Sequence, residues 1–460
     1  MARKSKWYTQ TARILENLDT YARNKGAEGI RASVNEGRSH EVHIREGASE
    51  EGNSEDYSRV NVAVYLSNGR HSSFSMDFDS RKFDTDLAQK LIVNRVKSAE
   101  LHPEDPNAGL ADPDQILQET ICDESAFDER NLLKPEDMIH RATETEKAAL
   151  QQADKGIDSS QGAAMDTKIG RSMLYASNGF LGVTSGKSYG IQLIVKGVYE
   201  DEQGQKHFTL GADGMNAVEY AELDDPQTLA DRVVNDAVRM RHARPLTAAD
   251  KHDNVALVFE SRMAGSFWSG IINALDGQAV ANGISFLQDH FNKAVLPENL
   301  SIVNDPTLKG TLGHSYFDSN GIPARREVMI DNGVIRNWFL DLYNARKLGM
   351  SVTGEPSNIL IDANQPNARN LEELVSDIGT GILVTDFNGG GMDTVRGEYK
   401  VGAAGLLIRD GEIAEPVRDF SLAHRDLKTM LATTQVAQDR QKQEKIWTPS
   451  TRVDGLTLSA

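Results

Sequence analysis

The stretch SRVNVAVYLSNGRHSSFSM, residues 58–76, sets Val60, Val62, Val64 and Leu66 alternately with Asn61, Ala63 and Tyr65. That is the period of a strand with one buried face. Asn68-Gly69 follows at once, the strongest short hairpin signal, so the run is expected to fold back into an antiparallel pair. Residues 29–46 read as a further strand beside it. Helices flank these strands. Trp7 to Lys25 places Ile14, Leu18 and Tyr21 at helical spacing and stops at Gly26, while Asp84 to Glu100 carries Leu87, Leu91, Ile92 and Val96 on one face. Helices laid on an antiparallel sheet make an N-terminal α/β unit.

Working outward, Pro103, Pro106, Pro113 and Gly109 mark a loop over 101–114. A helix from about Pro135 to Asp154 has proline in its first turn, where the missing N–H costs nothing. The polar run KGIDSSQGAAMD then places the domain boundary near residue 165. The expected division is an N-terminal α/β domain over 1–164 and a β-rich C-terminal domain over 165–460, with a central subdomain over 165–250. Past the boundary, RSMLYAS, YGIQLIVKGVY and KHFTLGAD read as an antiparallel meander, followed by a helix from Pro226 to Arg241. NVALVFES, REVMIDNGVIRNWFLDL, GILVTDF and AAGLLIRDGEIAEPV restore strand patterning, with Asn332-Gly333 and Asp410-Gly411 as turns. The fold class is α+β.

The chain of 460 residues is long enough for more than one core. Its 68 acidic against 50 basic side chains give a formal charge of -18, which repels a phosphate backbone and argues against direct nucleic-acid binding. Cys122, the one cysteine, has no intramolecular disulfide partner, MARKSKWYTQ lacks the apolar core of a secretory signal, and no apolar run reaches membrane-spanning length. A cytoplasmic protein is expected.

Four segments carry a resemblance: YASNGFLGVTSGKSYGIQLIV at 175–195, IPARREVMIDNGVIRNWFLDLYNARKLGMSVTGE at 322–355, GILVTDFNGGGMDTVRGEYKVGAAGLLIRDGEIAEPVRD at 381–419, and the closing PSTRVDGLTLSA. Together they resemble the TldD/TldE (PmbA) metallopeptidase family, and the resemblance covers nearly the whole chain. It implies a cytoplasmic heterodimeric protease in which a TldD-like subunit holds zinc on an HExxxH helix and a later cysteine. The TldE-type subunit completes the enclosure through which unfolded peptide reaches the metal. It also implies roles in trimming peptide antibiotics and degrading a labile antitoxin and, by older naming, modulation of DNA gyrase.

A metallopeptidase needs ligands that leave a coordination position open and a carboxylate to take a proton from bound water. The candidate helix here is Arg262 to Gln278, with Ala264, Trp268, Ile271 and Leu275 as its apolar stripe. Aligned through Leu275-Asp276-Gly277, the family motif falls on Trp268 to Asn273. Trp268 and Asn273 then stand at the histidine positions and Ser269 at the glutamate. Indole nitrogen has no lone pair for a metal, a neutral amide is a poor zinc ligand, and serine does not hold the mobile proton as a carboxylate does. Trp268 also reads as a core anchor, and Asn273 lies about 140° from it around the helix. No catalytic residue, metal ligand or cofactor is therefore assigned to this chain. Zinc is expected in the TldD-like partner, with a homodimer as the alternative assembly.

Other constellations are weaker. His40 and His43 fall in a strand and point to opposite faces. Asp77, Asp79, Asp84 and Asp86 lack the glycine and terminal glutamate of a calcium loop, and Asp84 or Thr85 suits a helix cap. Asn388, Gly389, Gly390 and Gly391 read as a turn or, within the resemblance, as a loop beside the peptide channel. No Gly-x-Ser-x-Gly elbow is present. Two other functions stay open: an autonomous metallopeptidase using ligands such as His290 or His314, and a non-proteolytic peptide-binding regulator.

Overall fold

The computed structural model describes residues 5–200, 204–247, 250–364, 368, 370–440 and 445–459. Met1 to Lys4 and Ala460, parts of segments read above, lie outside the described residues.

The first unit is one antiparallel sheet with four helices on a single face. Its strands are β1 (Gly29–Arg45), β2 (Ala48–Tyr65), β3 (His71–Asp77), β4 (Ile157–Ala176), β5 (Phe180–Glu200) and β6 (Lys206–Ala217), in spatial order β3-β2-β1-β4-β5-β6. Helices α1 (Lys6–Asn24) and α2 (Thr85–Glu100) cover Ile30, Ala32, Val34, Val60, Val62 and Val64. Helices α3 (Pro135–Leu150) and α4 (Pro226–Arg239) cover Val42, Ile44, Met165, Ile191 and Leu193 further along the same face. Asp84 caps α2 by accepting from Leu87 N at 2.9 Å, so the acidic run before it is a helix entry.

Two expectations change. β2 begins at Ala48, ten residues before Ser58, because Glu46 (φ 51°) and Gly47 (φ 75°) form a two-residue turn that pairs Arg45 with Ala48. Residues 52–57 are exposed on both faces, so no apolar alternation announces them. Residue 165, expected to divide the chain, lies inside β4, and β4 pairs with β1 at the centre of the sheet. The polar run KGIDSSQGAAMD is a strand segment with one open face. β5, β6 and α4, read as a central subdomain, complete the first unit.

The second unit adds β7 (Arg244–Pro245), β8 (His252–Phe259), β9 (Leu300–Asn304), β10 (Glu327–Asp331), β11 (Val334–Ile335), β12 (Ile359–Ala363), β13 (Thr380–Asp393), β14 (Glu398–Arg409), β15 (Glu412–His424), β16 (Gln435–Val436), β17 (Ile446–Trp447) and β18 (Thr451–Ser459). β18 pairs with both β8 and β15, the latter over Ser421 to Ala423, so β8-β13-β14-β15-β18 closes into a barrel-like sheet. A smaller sheet, β11-β10-β9-β12-β17, stands beside it. The β-rich expectation and the turns at Asn332-Gly333 and Asp410-Gly411 hold, with both non-glycine residues in the left-handed region.

A half-buried ionic bridge ties the units. Arg239 on α4 donates to Glu260 at 2.6 Å, and Arg262 donates back to Asp236 at 2.7 Å. Among the described residues no helix is long and apolar enough to cross a membrane.

Candidate functional site

β8 delivers the chain into α5 (Ala264–Ala274), which is shorter than its expected span. Asp276 ends it by accepting from Ala279 N at 2.9 Å, which starts a new short helix, α6 (Gly277–Ala281). The stripe of Ala264, Phe267, Trp268, Ile271 and Leu275 is buried in the core shared by the barrel and the small sheet. Trp268 is 0% exposed; its ring meets Phe267 edge-on at 5.4 Å, and its Nε1 donates to Thr451 Oγ1 on β18 at 2.9 Å.

The other face of α5 carries Ser269 and Gly270, both half-buried, and the exposed Asn273. α5 is a regular α-helix, so the three motif positions are not brought together: Trp268 points into the core while Asn273 faces out. A Cβ built on Gly270 would stand 2.9 Å from Met392 Sδ, so the tail of β13 lies on this outer face. Asn388 to Gly391 belong to that tail. They are not a loop: Gly389, Gly390 and Gly391 pair with Gly402, Val401 and Lys400 of β14. A register shift after Phe387 and positive φ at all three glycines keep the pairing irregular, which explains the turn-like composition.

The donor set at the motif positions does not fit a zinc ion. The Trp268 nitrogen is a donor already engaged with Thr451, and Ser269 and Asn273 offer only a hydroxyl and a neutral amide. Among the described residues no group of three or more His, Cys, Asp or Glu side chains could hold a metal. His40 bonds Ser54 at 2.8 Å and His43 pairs with Glu41 at 3.1 Å within β1. Burial, with Lys428 and Lys293 nearby, pushes His290 below its ordinary value. His314 holds Pro306 O through Nδ1 at 3.0 Å and meets Tyr316 edge-on at 4.8 Å.

His314 also lines a cavity of about 360 Å³ with Asn304, Asp318, Glu327 and Glu355. Burial pushes the Asp318 carboxyl up, against the N–H groups of Ile322 and Asn320 that it accepts at 2.9 and 2.8 Å. Burial likewise raises Glu355, with Asp318 and Asp341 adding their negative fields. Ser315, Phe317, Asp318 and Ser319 continue into a second cavity of about 630 Å³, whose floor is the open face of the first sheet around Arg31, Ser33 and Asn61. The two cavities form a cleft along the seam between the units, where Phe180 of β5 meets Phe317 edge-on at 4.8 Å. No motif or spacing in the sequence marks Arg31, Asp318 or Glu355 as site residues. Asp318 and Arg31 stand in a polar loop and an alternating strand, with no spacing that links them. Glu355 closes a segment that carried the resemblance, the one available signal.

The model of the PmbA/TldA metallopeptidase C-terminal domain matches residues 252–460. A metalloprotease PmbA homolog of Haemophilus influenzae is 30% identical over 391 residues, covering 82% of each chain. Metalloprotease PmbA of Escherichia coli O157:H7 is 26% identical over 405 residues, covering 86% of this chain and 84% of its own. TldE from Thermococcus kodakarensis, in its crystal structure, superposes with a TM-score of 0.80 at 18% identity over 97% of this chain and 100% of its own.

Proposed function

Because the chain belongs to the PmbA/TldD metallopeptidase family, we propose that it is the TldE/PmbA-type, non-catalytic subunit of a cytoplasmic peptidase complex. In this reading a TldD-like partner supplies zinc and the general base, and this chain holds unfolded peptide for it. The observation that carries the reading is the bond from Trp268 Nε1 to Thr451. The position aligned with the first histidine of the motif is committed to the core, and the position aligned with the second faces away from it on α5. No chemical step is assigned to a metal on this chain.

The tail of β13 on the outer face of α5 supports a peptide path there. Gly389 and Gly391 have open space where side chains would stand, so a ligand backbone can approach closely. Co-purification from the native cell tests the assembly: a TldD-like chain in equal amount, with cleavage of unfolded peptide only in the joint fraction, is expected. Cleavage by this chain alone, abolished by chelation, would favour the autonomous enzyme.

A further inference from the structure

Arg31 is half-buried on the open face of the first sheet, where the 630 Å³ cavity meets another of about 370 Å³ lined by Asn320, Asp341 and Tyr343. It makes no ion pair among the described residues; Nη1 donates to the side-chain oxygen of Asn320. Several other buried or half-buried arginines sit on carboxylates, Arg171 on Glu36 and Glu124, Arg232 on Asp213 and Asp224, Arg239 on Glu260 and Arg452 on Asp454, while Arg141 and Arg241 donate to the backbone oxygens of Asp224 and Lys155. A guanidinium carries five N–H donors in a planar fork, and a neutral amide oxygen uses only part of it.

The surroundings leave room for a ligand. Cross-strand neighbours of Arg31 are Ala63 and Ala176, with Ser73 beyond, all short. The next row of the sheet is Ser33, Asn61 and Ser75, joined by Ser75 Oγ to Asn61 Oδ1 at 2.5 Å and Asn61 Nδ2 to Ser33 Oγ at 3.4 Å. These neutral hydroxyl and amide groups match the alternating donors and acceptors of a peptide backbone. Asp318 on the facing loop accepts from its own backbone amides; it and Glu355 feel the Arg31 charge without forming an ion pair with it, and Asp105 and Asp341 line the adjoining cavity.

We propose that Arg31 receives a carboxylate of an extended peptide lying in this cleft, with the adjoining peptide amides over Ser33, Asn61 and Ser75. A carboxylate fits the guanidinium fork with two parallel hydrogen bonds, the strong form of this contact. The proposal rests on the peptide-holding reading and narrows it to peptides that present a carboxylate, either the chain terminus or an acidic side chain.

The test uses the full chain and N-terminally labelled, unstructured octapeptides of Gly, Ala and Ser, read by fluorescence anisotropy. One peptide ends in a free acid, one in an amide, and one in an amide with an internal glutamate. The wild-type chain should bind at least one carboxylate-bearing peptide about tenfold more tightly than the plain amide, and whichever acid is preferred names the source. In Arg31→Gln that preference should vanish, while Arg31→Lys should keep part of it. Equal binding of all three peptides to the wild-type chain would overturn the carboxylate grip and leave the peptide-holding reading standing. Absence of binding by any of them would overturn both. A folded Arg31→Gln protein that keeps the preference would move the contact elsewhere.

Discussion

The indole Nε1 of Trp268 donates to Oγ1 of Thr451 across 2.9 Å, binding α5 to the strand that closes the barrel. The contact joins residues far apart in sequence and holds position 268, the one aligned with the first histidine of the family motif, inside the core.

Removing that side chain should be costly. Trp268→Ala is expected to lose about 3 to 5 kcal/mol through the cavity it leaves, and Thr451→Val about 1 to 3 kcal/mol by stranding the buried N–H. Asn273→Ala, on the exposed face, should stay within about 0.5 kcal/mol. Urea denaturation of the three variants checks the order, and an Asn273→Ala loss as large as that of Trp268→Ala would contradict the assignment of faces.

The glycines of β13 should separate by position. A Cβ at Gly390 overlaps Lys400 O, whereas at Gly391 it meets open space, although both residues have positive φ. Gly390→Ala should therefore lower the melting temperature more than Gly391→Ala. If the strand tail borders the peptide path, Gly391→Val should slow cleavage of unfolded peptide in the assembled complex while leaving assembly intact. Unchanged cleavage in that assembled variant would take Gly391 off the path.

Much of the fold was legible because its signals are local. The valines at 60, 62 and 64 and the Asn-Gly and Asp-Gly turns fix strands by short-range alternation and backbone conformation. The rest depends on tertiary context. Residues 52–57 form a strand exposed on both faces, and β4 hides its polar start inside a sheet whose partner β1 lies more than a hundred residues earlier. The buried face of Trp268 was readable from helical spacing. The cleft was not, since Arg31 and Asn320 meet only after the two units are assembled.

Acid should expose a third feature. Hydrogen bonds from Arg244, resisted by burial and aided by Thr247, hold the Asp250 carboxyl well below the ordinary carboxylate range. A depressed folded value means that the unfolded chain binds the proton more readily, so Asp250 contributes stability above about pH 4 and loses it as pH falls further. Asp250→Asn should lower the melting temperature at pH 7 and flatten its decline below about pH 4. An unchanged acid slope would show that this cluster contributes no proton linkage.

The central claim, that this chain lacks metal chemistry of its own, is tested most directly by counting zinc on the isolated full-length protein and on its complex with the co-purified partner. The account predicts less than about one zinc in ten copies of the isolated chain, given the ligand chemistry at Trp268, Ser269 and Asn273, and one zinc per complex that follows the partner when the two are separated. One tightly held zinc per isolated chain, removed together with peptidase activity by a chelator, would contradict it.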